Sequence, residues 1–140
     1  MAENTVIVEF TIYGNPVAQG RPRFARIGNN VRAYDPGKSR GWKDDVRLQA
    51  LQHRPKELIA GAISLHLMFH LPRPKSLPKR VTEHTKKPDA ENLSKAVCDA
   101  LEGLLYHNDS QIVRLTVEKQ YAGSNGPMVR VTLITAGGQS

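Results

Sequence analysis

Two carboxylates, Asp89 and Glu91, stand two residues apart in the run Lys86-Lys87-Pro88-Asp89-Ala90-Glu91-Asn92-Leu93-Ser94-Lys95. In an extended approach to a helix, residues i and i+2 project to the same side, so the two acids can converge on one cation. A third acid, Asp109, falls in a turn just before an apolar-alternating run, where a side chain can project past the end of a strand. Asn92, Lys95 and Asp99 follow at i, i+3 and i+7, a polar face opposite Leu93, Val97 and Leu101. Three carboxylates with no cysteine beside them favour a hard, oxygen-seeking cation such as Mg²⁺ or Mn²⁺. The same residues have plainer uses. Asp89 can cap the helix, Glu91 can complement its positive end, and Asp109 can hold its turn together. Lys95 and Asp99 can form a surface pair worth about 0.3–0.5 kcal/mol. Spacing alone leaves both readings open.

The surrounding charge favours the cation. The 140 residues carry 20 Lys and Arg against 13 Asp and Glu, a net charge of +7. Residues 21–87 hold 16 basic and 5 acidic side chains, whereas residues 88–140 hold 4 and 6. The basic stretch suits a polyanionic partner. Acids embedded beside it repel phosphates unless a metal intervenes, and an enzyme acting on phosphodiesters needs that combination. Arg21, Arg23 and Arg26 are the best phosphate contacts, with Lys86 and Lys87 flanking the acids. The single cysteine, Cys98, excludes an intramolecular disulfide and a cysteine-based zinc site, and it falls in an apolar helical segment that places it in the core. The five histidines form no ligand set; His66 and His70 fall on the polar face of a strand. The apolar runs are too short to span a membrane. The start of the chain lacks a signal-peptide pattern. We therefore expect a cytoplasmic protein with no small-molecule organic cofactor.

The elements that must position these residues follow from periodicity. Residues 6–13, 62–71, 112–121 and 128–135 alternate as strands. Residues 39–53 and 91–103 read as helices, the first with Trp42, Val46 and Ala50 as its core stripe and Lys43, Asp44 and Arg47 in water. Residues 17–38 and 71–88 are basic loops, expected to be mobile, the first with room for a short hairpin turning at Gly28-Asn29-Asn30. Gly123 to Pro127 reads as a hairpin connection, and residues 136–140 as a fraying tail. The expected fold is α+β: one domain, 1–140, with a mixed sheet of about four strands packed with two main helices.

The run from Lys86 to Lys119 closely resembles the signature of the RusA-type Holliday-junction resolvases. Their pattern is an acid, an acid followed by Asn-Leu, a lysine, Asp-Ala-Leu, then an acid before a small residue and Gln. Here these are Asp89, Glu91-Asn92-Leu93, Lys95, Asp99-Ala100-Leu101 and Asp109-Ser110-Gln111. Gly14-Asn15-Pro16 and Gln19-Gly20-Arg21-Pro22-Arg23 also look like the family, so the resemblance covers about residues 6–135. It implies a homodimeric, Mg²⁺-dependent endonuclease that cuts four-way DNA junctions by paired nicks. The family's metal-binding acids fall on Asp89, Glu91 and Asp109, and its catalytic lysine on Lys95. Glu91 stands where the family commonly has Asp, keeping the charge and adding a methylene. Asn108 stands where a second Asp is frequent, removing one charge. In this reading Lys95 stabilises developing negative charge or orients the nucleophile. Lys119 continues the face of Val113, Leu115 and Val117, and either snorkels to solvent or points at DNA. Two other readings compete: a non-catalytic nucleic-acid-binding module, and a nuclease for another branched DNA.

Overall fold

The computed structural model describes residues 7–20, 23–34 and 37–135, with the backbone alone at 23–27 and 30–34. Its organising strand is β4 (Ile63–Leu71), in which Ile63, Leu65, Leu67, Phe69 and Leu71 are buried and the residues between them half-buried. A strand so covered belongs in the interior of a sheet. It lies between β5 (Ile112–Tyr121) and β6 (Met128–Thr135), and β1 (Ile7–Tyr13) completes the order β1-β6-β4-β5. β6 pairs antiparallel with both β1 and β4, and β4 pairs parallel with β5. Parallel neighbours need a crossover, and the chain supplies it with helix α2 (Ala90–Leu101).

This arrangement corrects one expectation. Residues 123–127 connect β5 to β6, but the two strands are not a hairpin, because β4 separates them. Local turn chemistry suggested pairing between neighbours in sequence. The demand of β4 for a partner on each side decided otherwise. The second sheet is the hairpin of β2 (Arg23–Ile27) and β3 (Asn30–Tyr34), turning at Gly28 and Asn29 within the stretch read as a basic loop. Gly28 has φ +62°, which glycine adopts without strain. The tail, 136–140, lies outside the described residues.

One face of the large sheet carries the core. Phe10, Ile12, the β4 row, Val129, Val131 and Leu133 pack with Trp42, Val46 and Ala50 of α1 (Gly37–Ala50) and with Leu93, Ala96, Val97, Ala100 and Leu101 of α2. The Trp42 stripe is buried as expected, and a single 3₁₀ turn at Leu51–His53 follows the helix. Two α1 residues expected in water instead grip α2. The Lys43 ammonium meets the Asp99 carboxylate at 2.8 Å. Arg47 donates to the carbonyls of Ala100 at 2.8 Å and Glu102 at 3.3 Å. Cations at the carbonyl end of a helix complement its dipole and satisfy groups that lack partners within the helix. Cys98 is buried, and its thiol is pushed up to about 12 by that burial and, secondarily, by the charge of Asp109.

Candidate active site

The N-terminus of α2 is built from three stretches of chain. Asp89 is its N-cap, with extended backbone angles, and its Oδ1 accepts from the Asn92 amide at 2.9 Å. Ala90 and Glu91 are already helical, so the two acids belong to a cap and a first turn rather than to an extended i, i+2 pair. The cap bond occupies one Asp89 oxygen and leaves the other for a ligand. Across the helix end, the Gln19 amide donates to the Asn92 carbonyl at 2.9 Å, while Gln19 Oε1 is buried without a hydrogen-bond partner. Ala18, Lys87, Pro88, Asp89 and Asn92 line a cleft of about 520 Å³. Glu91 and Lys95 are both exposed, one turn apart on α2. Because Lys43 engages Asp99, the Lys95–Asp99 surface pair is not the arrangement found.

The segment entering Asp89 is tied to β5 at three points. The Tyr121 amide donates to the Thr82 carbonyl at 2.8 Å, and Glu83 forms an antiparallel bridge with Gln120. Lys119 is on the helix-facing side of β5, as the alternation requires. Its Nζ donates to the carbonyls of Lys86 at 2.7 Å and Pro88 at 2.8 Å. Lys119 thus binds the loop that delivers Asp89. The Lys87–Pro88 peptide is cis. Beside it, His84 is buried against the Tyr121 ring, centroids 4.7 Å apart, and burial and the Lys119 charge lower its pKa.

Asp109 stands at the other end of α2. Its amide donates to Glu102 Oε2 at 3.0 Å, and its carboxyl lies beside the Tyr106 hydroxyl, which donates to the Cys98 carbonyl at 2.8 Å. Asp109 Oδ1 is buried without a hydrogen-bond partner. Burial, then the charges of Glu102 and Asp99, raise the pKa of this carboxyl, with the Tyr106 hydroxyl opposing. Asn108 caps the short turn with Gln111 in a reciprocal capping box. Glu102 was not singled out from the sequence, because it falls where a helix simply ends.

From Asp89 to Cys98 the helix rises ~13 Å at 1.5 Å per residue. Oxygen ligands of one cation lie within about 2.0–2.6 Å of it. One chain thus brings Asp89 and Glu91 together at one end of α2, and Asp109 and Glu102 at the other. Among the described residues, no three His, Cys, Asp or Glu side chains converge as a ligand set. Of the expected phosphate contacts, Lys86 and Lys87 are exposed beside the cleft. Arg21 lies outside the described residues, and Arg23 and Arg26 are described only as backbone of β2.

The family model for the endodeoxyribonuclease RusA matches residues 13–134, nearly the whole of this fold. The chain belongs to the RusA endodeoxyribonuclease family. The match takes in the Gln19 loop, the α2 cap and Asp109 together, in agreement with the resemblance read over about residues 6–135. The uncharacterized protein YqaN of Bacillus subtilis (strain 168) is 42% identical over 136 residues, covering 90% of this chain and 94% of its own length. Among the described residues, no helix is long and apolar enough to cross a membrane.

Proposed function

We propose that this RusA-family protein is a divalent-metal-dependent endodeoxyribonuclease that resolves four-way DNA junctions by paired symmetric nicks as a homodimer. The observation that carries this reading is the buried, unpartnered Asp109 Oδ1 in a chain that also caps α2 with Asp89. A carboxylate oxygen withdrawn from water and from every protein donor is costly unless a cation or proton meets it. The donor set, all oxygen, fits a hard cation such as Mg²⁺ or Mn²⁺. Asp89, Glu91 and Asp109 would hold it. Bound there, such an ion lowers the pKa of a coordinated water and offsets charge on the scissile phosphate.

The chain's own groups supply the rest. Lys95 projects from the exposed side of α2 one turn beyond Glu91, where its ammonium stabilises negative charge developing on the phosphate. Lys86 and Lys87 hold the backbone of the DNA beside the cleft, with Arg21, Arg23 and Arg26 as further phosphate contacts. Lys119 fixes the carbonyls of Lys86 and Pro88, so it acts by positioning Asp89. Since Asp89 and Asp109 of one chain flank opposite ends of α2, a set of all three acids around one ion takes its members from two copies. Two cuts related by a two-fold axis call for the same symmetry.

The competing reading, a nucleic-acid-binding module without catalysis, draws on the Asp89 cap bond, which explains that residue with no metal at all. A labelled four-way junction incubated with Mg²⁺ decides between them. Wild type should cut, and Asp89→Asn and Asp109→Asn should bind without cutting. Binding without cleavage by wild type, under conditions where a control resolvase cuts, removes the enzymatic reading. Cleavage by both variants at wild-type rates removes the site. A panel of flaps and simple duplexes identifies the preferred branched DNA.

A further inference from the structure

Beyond the carboxyl end of β5 lies a second cavity, of about 710 Å³, larger than the cleft beside Asp89. Segment 72–82 forms one wall. It carries Arg73, Lys75, Lys79 and Arg80 and no acid. Two turns shape it: the Leu77 amide donates to the Pro74 carbonyl at 3.1 Å, and the Val81 amide to the Pro78 carbonyl at 3.0 Å. Arg73 pins the second turn. Its guanidinium donates to the Val81 carbonyl at 2.8 Å and to the Pro78 carbonyl, and lies over the Tyr121 ring, 5.8 Å from the centroid. Lys75, Lys79 and Arg80 remain exposed, and none of the three makes an ion pair among the described residues. The facing wall is the uncharged turn from Gly123 to Pro127, on which Ser124 is exposed. Glu83, the first acid along the segment, stands outside the lining and is bridged to Gln120. A concave surface with charge of one sign attracts the opposite charge. Tyr121 is buried beneath Arg73, so the cavity offers no open aromatic face on which a base could stack.

We propose that this cavity holds the sugar–phosphate backbone of a DNA arm, with Lys79 as its phosphate contact, on a loop that Arg73 keeps in shape. The site grips without reading sequence, because phosphates carry none. It lies on the same stretch of chain as the candidate active site. Thr82 lines the cavity and Asp89 lines the cleft, seven residues further on. The chain between them spans at most about 25 Å, the length of about seven nucleotides of one strand at 3.4 Å each. A single arm can therefore lie across both. The subsite rests on the reading of the protein as one that binds branched DNA; it requires neither the metal nor the cut.

The test is junction binding across a salt series in EDTA, where nothing is cut. A phosphate contact with a slope near −0.9 is worth up to about eightfold in affinity at 0.1 M salt relative to 1 M. Lys79→Gln should therefore weaken binding about three- to eightfold at 0.1 M salt and reduce the slope by about one. The loss should be the same on junctions of unrelated sequence. Ser124→Glu, which places a carboxylate on the facing wall, should weaken binding to a similar degree. Lys56→Gln removes the same charge from an exposed lysine near the start of β4, at the other end of the sheet. It should stay within a factor of about two of wild type. Lys79→Gln and Ser124→Glu that bind like wild type overturn the subsite. So does an equal loss in Lys56→Gln, which makes the effect one of net charge, or a loss confined to one junction sequence. If the variants lose affinity as expected but wild type with Mg²⁺ cuts nothing, the nuclease reading alone fails. If wild type cuts but the variants bind normally, the subsite alone fails.

Discussion

Replacing Lys119 with methionine keeps the aliphatic stem and removes the ammonium that binds Lys86 and Pro88. A hydrogen bond from a charged donor contributes about 1.5–3 kcal/mol. Both carbonyls are near the surface and regain water when freed, so the lower end applies and the two together amount to about 2–3 kcal/mol. For a domain of this size that corresponds to a fall of roughly 6–9 °C in the unfolding midpoint. Loss of the anchor lets the loop before Asp89 depart from the geometry the cleft needs, so single-turnover junction cleavage should drop at least about tenfold, the effect of ~1.4 kcal/mol at the transition state. Junction binding without metal should stay within a factor of about two to three, because the lysine makes no phosphate contact in this arrangement. His84 gives an independent readout: with one cause of its depression gone, its pKa should rise in Lys119→Met, as followed by NMR titration. A lysine that instead contacts DNA predicts the reverse pattern, weaker binding with the salt slope reduced by about one and no change in stability. Observation of that pattern refutes the positioning role.

Three further outcomes follow from the same geometry. Asp89→Asn should abolish cleavage with an unchanged unfolding midpoint, because asparagine caps a helix as well as aspartate, whereas Asp89→Ala should also lose about 1 kcal/mol in denaturant titration. His84 and His70 both titrate below the ordinary histidine value, His84 through burial and Lys119, His70 through burial and Arg130. Their folded pKa values are depressed, so their contribution to stability is complete above about pH 6.5 and is lost as pH falls through the folded values. Urea midpoints measured from pH 8 to 5 should therefore decline below pH 6.5, and less steeply in His84→Gln. Cys98, buried and with its thiol pushed up to about 12, should resist a thiol reagent at pH 8 until the protein is unfolded.

The elements with strong periodicity were legible: β4, β5, β6 and α2 lie within a residue or two of where alternation and helical spacing put them. Pairing was not. Nothing in Gly123-Ser124-Asn125-Gly126-Pro127 says that β4 will come between the strands it joins, because that depends on the burial of a strand more than fifty residues earlier. Asp89 and Glu91 were recognisable as a pair, yet the extended geometry that suggested it is replaced by a cap and a first turn. The distance from Asp89 to Asp109 was invisible, since a twelve-residue helix between two acids can be read from sequence without saying where the chain goes next. Lys119 was conspicuous as a charge on an apolar face, but only the position of the 86–88 carbonyls tells what it holds.

α2 is fastened at both ends by the chain on either side of the β2–β3 hairpin. Gln19, before the hairpin, is bonded to the first turn at Asn92; Arg47, after it, is bonded to the last carbonyls at Ala100 and Glu102. Loosening either bond therefore frees one end of the helix that carries Asp89 and Lys95 without touching either residue.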